Sequence, residues 1–259
     1  MFQEKMVTPA IPERVYTLCK IVEKKPITNA DLKDRMEPDF LENGTVYYTD
    51  YRNAAEELGL ITISDDLISL AVDARVLANI ENMRAYANLK LEEYNQGQFY
   101  TVTRAFFEMG SEILKGEKNV AAMGSLFSQV TKRSVDAMAM RAWRFWVSFL
   151  GFGYLQDMFF IPNANAFLWD LISQSSLVKG KRYSTSEFIE GIRPYCNIVI
   201  NIDPANRKFN YGVSNGLRTL HDAGLIKLEH IMDQKDLWDI YPMNAHPIST
   251  TVTNITICK

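Results

Sequence analysis

Cysteine is scarce in this chain: Cys19, Cys196 and Cys258 are the three among 259 residues. An odd number at wide spacing excludes a disulfide framework or a CxxC metal site and fits buried thiols in a reducing compartment. His221, His230 and His246 are not at ligand spacing with one another or with cysteine. Long apolar runs are missing too. The most apolar stretch, 142–161, is interrupted by Arg144, Gln156 and Asp157, so no membrane-spanning helix is expected. The opening MFQEKMVTPAIPERVY has no apolar leader core, so a cytoplasmic, intracellular protein is expected. The sequons Asn43-Gly-Thr45 and Asn254-Ile-Thr256 are read as chance matches. No Gly-rich phosphate loop exists; Gly151-Phe-Gly153 lacks a third glycine and follows a helix. Pro38-Asp39 lacks the acidic-x-Lys of a metal-dependent nuclease, and Glu56-Glu57 and Glu92-Glu93 read as solvated helix faces. No enzyme and no cofactor is expected. Charge of one sign is also lacking: 28 Lys+Arg face 31 Asp+Glu, so nucleic-acid binding would need a local patch.

What is present is material for cores, with 47% hydrophobic and 12% aromatic residues. The length fits two domains or three small ones. A pattern of elements recurs. In 11–72, IPERVYTLCKIVEKK has helical spacing, with Pro12 in its first turn. A short helix capped by Thr28 or Asn29 carries Leu32 and Met36. A third helix places Tyr47, Tyr51, Ala54 and Leu58 on one face and ends at Gly59. Two strands then flank Ser64-Asp65-Asp66. In 163–244 the order repeats: a helix with Phe167, Leu168, Leu171 and Ile172; a second, capped by Ser184 or Ser186, with Phe188 and Ile192; a third with Val213, Leu217 and Leu220, ending at Gly224. The strands KLEHI and LWDIYPM follow. Ala55–Ile61 aligns with Leu220–Ile226, an internal repeat. Residues 73–94 read as a helical connector. The middle, 100–162, reads as a degenerate third copy, whose last helix sets Met138, Ala142, Phe145 and Phe149 on its inner face.

This order resembles the winged helix-turn-helix superfamily. The resemblance covers 11–72 and 163–244 well and 100–162 weakly. The fold expected is α+β, mostly α: tandem winged helices at 1–72 and 163–259, joined through 73–162. In that superfamily the third helix enters the major groove and the hairpin reaches phosphates, so the resemblance implies double-stranded DNA as a partner.

Charge decides which copy could do this. Residues 1–72 hold 8 Lys+Arg and 13 Asp+Glu, a net of −5; 73–162 and 163–259 hold 10 and 9 each, a net of +1. The first copy exposes Thr45, Tyr48, Thr49, Arg52 and Asn53, but Glu56, Glu57 and Asp65-Asp66 would repel phosphate. It reads as a surface for a protein partner or self-association. The C-terminal copy offers Lys179, Lys181 and Arg182 before its second helix, and Arg207 and Lys208 before its third. Tyr211, Ser214, Asn215 and Arg218 lie on the third helix's polar face, and Lys227, His230 and Lys235 on its wing. Arginine and asparagine there can pair with guanine and adenine edges. Lys132, Arg133, Arg141 and Arg144 form a stripe in the middle, on a helix read mainly as core. The function expected is DNA binding by a regulator, or by the recognition subunit of a larger complex, nucleoid-associated in the cell. The alternative is a protein adaptor that uses the same folds without touching DNA. The β-prone tail, 250–259, can pair with its own sheet or a partner's.

Overall fold

The computed structural model describes residues 1–38, 47–116, 119–201 and 206–259. The protein is α+β and mostly helical, with small antiparallel sheets. Thr45 and the Asn43-Gly44 loop, Asp39, and Asn43 of the first sequon lie outside the described residues.

Pro12 opens α1 (Pro12–Val22), which buries Val15, Leu18, Cys19 and Val22. Strand β1 (Ile27–Thr28) leads into α2 (Asn29–Met36), and Thr28 Oγ1 caps it by accepting from Asp31 N. Helix α3 (Tyr48–Glu57) precedes β2 (Ile61–Ser64) and β3 (Leu67–Leu70). Asp65 and Asp66 turn this hairpin with φ of 49° and 65°, a conformation aspartate tolerates. The sheet order is β1-β3-β2. One residue of α3 is corrected: Tyr48 is buried and Tyr47 exposed, because the helix begins one residue later than the pattern suggests.

The connector is not one helix. A 3-10 turn (Ala74–Leu77) is followed by α4 (Ile80–Lys90), which begins where the Asn79 side chain accepts from Asn82 N. In the middle come α5 (Gln98–Glu108), α6 (Gly124–Thr131), α7 (Ala137–Phe149), β4 (Gly153–Gln156) and β5 (Phe159–Pro162). Val120 N donates to Met158 O at 2.9 Å, so the segment before α6 lies beside this hairpin much as β1 lies beside β3.

The last third holds α8 (Asn165–Gln174), β6 (Arg182–Ser184), α9 (Thr185–Ile192), α10 (Tyr211–Asp222), β7 (Ile226–Glu229), β8 (Trp238–Asp239), β9 (Thr251–Val252) and β10 (Asn254–Ile257). Its sheet order is β6-β10-β7, the arrangement of the first third. The expected strand at 237–243 is corrected. Trp238 pairs with Val252 in a separate ribbon, and the tail supplies the centre strand, Ile255 facing both Tyr183 and Leu228. The central position suits its alternating Thr-Ile pattern. Ser184 and Glu187 form a reciprocal capping box on α9. Ser184→Ala is expected to cost about 1 kcal/mol, read as a shift in urea midpoint at constant slope.

Helices α3, α7 and α10 share one way of ending. Gly59, Gly151 and Gly224 have φ of 66°, 79° and 65°. After each, the next residue's N–H returns to the carbonyl five back: Leu60 to Ala55, Phe152 to Val147, Leu225 to Leu220. This left-handed cap suits glycine and turns the chain into the following strand. The segments 1–72, 73–162 and 163–259 also share one apolar core. Phe2 packs its ring against Tyr94, Phe99 and Trp146, and Trp146 Nε1 donates to Ala10 O. Gly212 lies where a Cβ would come within 2.4 Å of the Phe107 ring, bringing α10 hard against α5. No helix among the described residues is long and apolar enough to cross a membrane.

Candidate nucleic-acid interface

Helix α10 carries the residues expected to read a groove, and the structure places their polar atoms against the chain itself. The loop 240–250, between β8 and β9, lies across them. Arg218 is 3% exposed; its Nε and Nη2 donate to Ile248 O, and Nη2 also to Ser249 O, at 2.9–3.1 Å. Burial pulls its pKa down from the ordinary arginine value, against the pull of Asp222. Ser214 is fully buried and accepts from Tyr241 N at 2.8 Å. Asn215 Nδ2 donates to Pro162 O at 3.3 Å. Half-buried Tyr211 meets the Tyr241 ring edge-on, 5.2 Å between centroids. Arg207 stands before the helix and spends its charge on Asp236 at 3.3 Å, while Lys208 is exposed in a short bridge to Asp239. The outward orientation expected for this polar face is therefore corrected. Ser214 and Arg218 serve an internal interface with a loop some thirty residues further along the chain, and Asn215 bonds the end of β5.

The expected phosphate-contacting residues do come together. Arg182, Thr256 and Lys227 stand in one row across β6-β10-β7. Glu229 takes both cations, Lys227 at 2.7 Å and Arg182 at 3.1 Å. Led by the Lys227 hydrogen bond, these cations hold its carboxyl below the usual glutamate range. Lys179 and Lys181 are exposed beside the row, with the Lys181 ammonium 4.6 Å from the Tyr183 ring. After β7, His230 bonds Thr251 and Lys235 is exposed.

Helix α7 leaves cationic side chains on its outer side. It buries Ala139, Met140, Ala142, Trp143, Trp146 and Val147. Met138 is exposed and Phe145 and Phe149 are half-buried, a correction to the inner face expected for them. Two adjacent apolar stripes compete for the core, and the larger tryptophans take it. On the outer side lie Arg141 and Arg144, with Lys132 and Arg133 in the turn from α6. None of the four has a carboxylate within ion-pair distance among the described residues. Arg141 instead donates to Met138 Sδ at 3.3 Å and Arg144 to Met158 Sδ at 3.1 Å, across to the hairpin turn. Arg144 Nε has no partner. A thioether carries no charge, so these guanidinium charges stay uncompensated. The sequence shows this stripe, but its aromatic neighbours point towards core.

On α3, Thr49, Asn53 and Glu56 are exposed, and Arg52 bonds Asn29 and Asn53. Cys19 and Cys196 are buried and their thiols pushed up to about 12 by desolvation, which leaves them protonated.

His221, Asp222 and His246 place one ligand atom each within 4.8 Å of one another. His221 is half-buried. Its Nδ1 accepts from Leu228 N at 3.1 Å, and His246 Nδ1 accepts from Ile248 N at 3.0 Å. A neutral ring accepting at Nδ1 carries its proton on Nε2, the atom a metal would need bare. The trio is arranged for hydrogen bonding; a metal-bound histidine donates from its second nitrogen. The chain matches no protein-family model, no curated protein and no solved structure, so the geometry carries the functional reading.

Proposed function

We propose that the chain is a DNA-binding subunit built of three winged helices, which meets duplex DNA through the middle one. Support for the fold is the order helix, edge segment, helix, helix, left-handed glycine and strand, met three times; that strand pairs with the next one in the first two cases and with the tail strand β10 in the last. The observation that carries the function is the stripe of exposed Lys132, Arg133 and Arg141 and half-buried Arg144, on or before α7 and free of carboxylate partners among the described residues. Arg141 and Arg144 face the groove; Lys132 and Arg133 lie against the backbone. The row of Arg182 and Lys227, with Lys179 and Lys181, is a second cationic surface able to meet phosphate.

Arg141→Ala with Arg144→Ala is expected to weaken duplex binding by about 1–3 kcal/mol for each arginine that pairs with a base edge, or to lower the salt slope by about one for each that neutralises a phosphate. Fluorescence anisotropy over a salt series reads both. Unchanged affinity and slope would remove the proposal.

A second reading has its own observation. Val130, Met138, Tyr154 and Met158, exposed by 40–52%, accompany the arginines. Methionine, tyrosine and arginine are the side chains enriched where proteins dock. An adaptor using this face would bind its partner with little salt dependence, whereas DNA affinity falls steeply with salt.

A further inference from the structure

Each arginine on the outer side of α7 is paired with a sulfur. Arg141 Nη1 donates to Met138 Sδ at 3.3 Å, one turn back on the same helix. Arg144 Nη1 donates to Met158 Sδ at 3.1 Å, in the two-residue turn between β4 and β5. Neither guanidinium meets another acceptor among the described residues. Both methionines are exposed. Met232 and Met243 are exposed as well, Met232 by 82%, but neither thioether bonds an arginine among the described residues.

A thioether is a weak acceptor, and a two-electron oxidant turns it into a sulfoxide, which is polar. With hydrogen peroxide, the sulfur lone pair attacks one peroxide oxygen. An S–O bond forms as the O–O bond breaks, and the transferred oxygen gives its proton to the departing hydroxide, which leaves as water. Sulfur loses two electrons and the peroxide gains them. We propose that Met138 and Met158 are an oxidative modification site, where sulfoxide oxygens tie up Arg141 and Arg144 and so withdraw them from DNA.

The new oxygen stands one bond from a sulfur that the guanidinium already touches, so a side-chain rotation brings donor and acceptor together. A hydrogen bond from a charged donor to that oxygen is stronger than one to a thioether. Reductases for the two sulfoxide epimers return the thioether, so the change is reversible. Cys19 and Cys196 offer no rival route, being buried and held protonated. Cys258 is kept in every protein compared below, so an effect of its thiol would appear in all of them.

The effect on DNA rests on the function proposed for α7, so the test has one arm without DNA. The whole chain is treated with hydrogen peroxide until mass spectrometry finds the sulfoxide of Met232. Sulfoxides of Met138 and Met158 are expected alongside it, and their absence overturns the proposal. Phenylglyoxal, which attacks free guanidinium groups, is then expected to label Arg141 and Arg144 about threefold more slowly than before, with exposed Arg133 unchanged. In the second arm, duplex affinity is expected to fall about tenfold and to return once methionine sulfoxide reductases have acted. Met138→Leu with Met158→Leu keeps the volume and removes both sulfurs, so oxidation is expected to change its affinity by less than about twofold. Met232→Leu is expected to respond as the unaltered chain does. Unchanged labelling of both arginines with both sulfoxides present overturns the proposal, as does an equal loss of affinity in the double leucine variant. If oxidation slows the labelling but the unoxidised chain binds no duplex, the modification site stands and the DNA reading falls.

Discussion

Arg218→Ala is expected to lower the unfolding free energy by about 3–5 kcal/mol, and Arg141→Ala to change it by less than about 0.5 kcal/mol. Two arginines on the polar sides of α10 and α7 thus differ by most of the margin a domain has. The cause is where their donors end. Arg218 brings a full charge into a site 3% open to solvent, and its guanidinium meets the carbonyls of Ile248 and Ser249. Truncation leaves both carbonyls facing a cavity and removes the stem that packs beneath the loop. Arg141 leans on a thioether in the open and has no buried partner to strand. Urea unfolding of the two variants checks this directly. A loss below about 1 kcal/mol in Arg218→Ala would mean that the loop is held by its apolar residues alone.

The same pair shows how far the sequence can be read. Both helices carry arginine and small polar residues opposite an apolar stripe, and periodicity reports that stripe faithfully: Val213, Leu217 and Leu220 are all buried. Periodicity separates polar from apolar. It does not separate polar in water from polar against another segment's carbonyls. The loop that covers Ser214 and Arg218 comes from 240–250, and nothing local to α10 announces it. The tail strand is the same kind of case. Its β-prone composition is visible, but its place between β6 and β7 depends on pairing Ile255 with residues 72 and 27 positions earlier. The glycine caps are legible because they are local: a helix, a left-handed residue and a strand are adjacent in the chain at Gly59, Gly151 and Gly224. The α7 stripe is legible as charge. That it stands free of carboxylates is a fact of the whole fold.

Asp170→Ala is expected to cost about 3–5 kcal/mol, because it strands two partners at once. Asp170 is buried on α8 and receives both nitrogens of the Arg84 fork, Nε at 2.8 Å and Nη2 at 3.0 Å, together with Asn88 Nδ2 at 2.8 Å. Arg84 and Asn88 lie one turn apart on α4, so a single carboxylate ties the connector to the last third of the chain. Asn88 also donates to Leu150 O, at the end of α7, which brings the middle third into the same knot. Removing the carboxylate leaves Arg84 half-buried and charged with nothing to meet it. Replacing Arg84 and Asp170 together, by methionine and leucine, removes the charge and its partner and keeps the volume. That pair is expected to recover most of the loss, since a buried ion pair adds little beyond what apolar packing gives. Recovery separates a stranded charge from a lost fold. If the double variant is as unstable as Asp170→Ala, the contact between α4 and α8 needs the carboxylate for its geometry, and the three thirds are held in register by one polar group where their shared core would otherwise suffice.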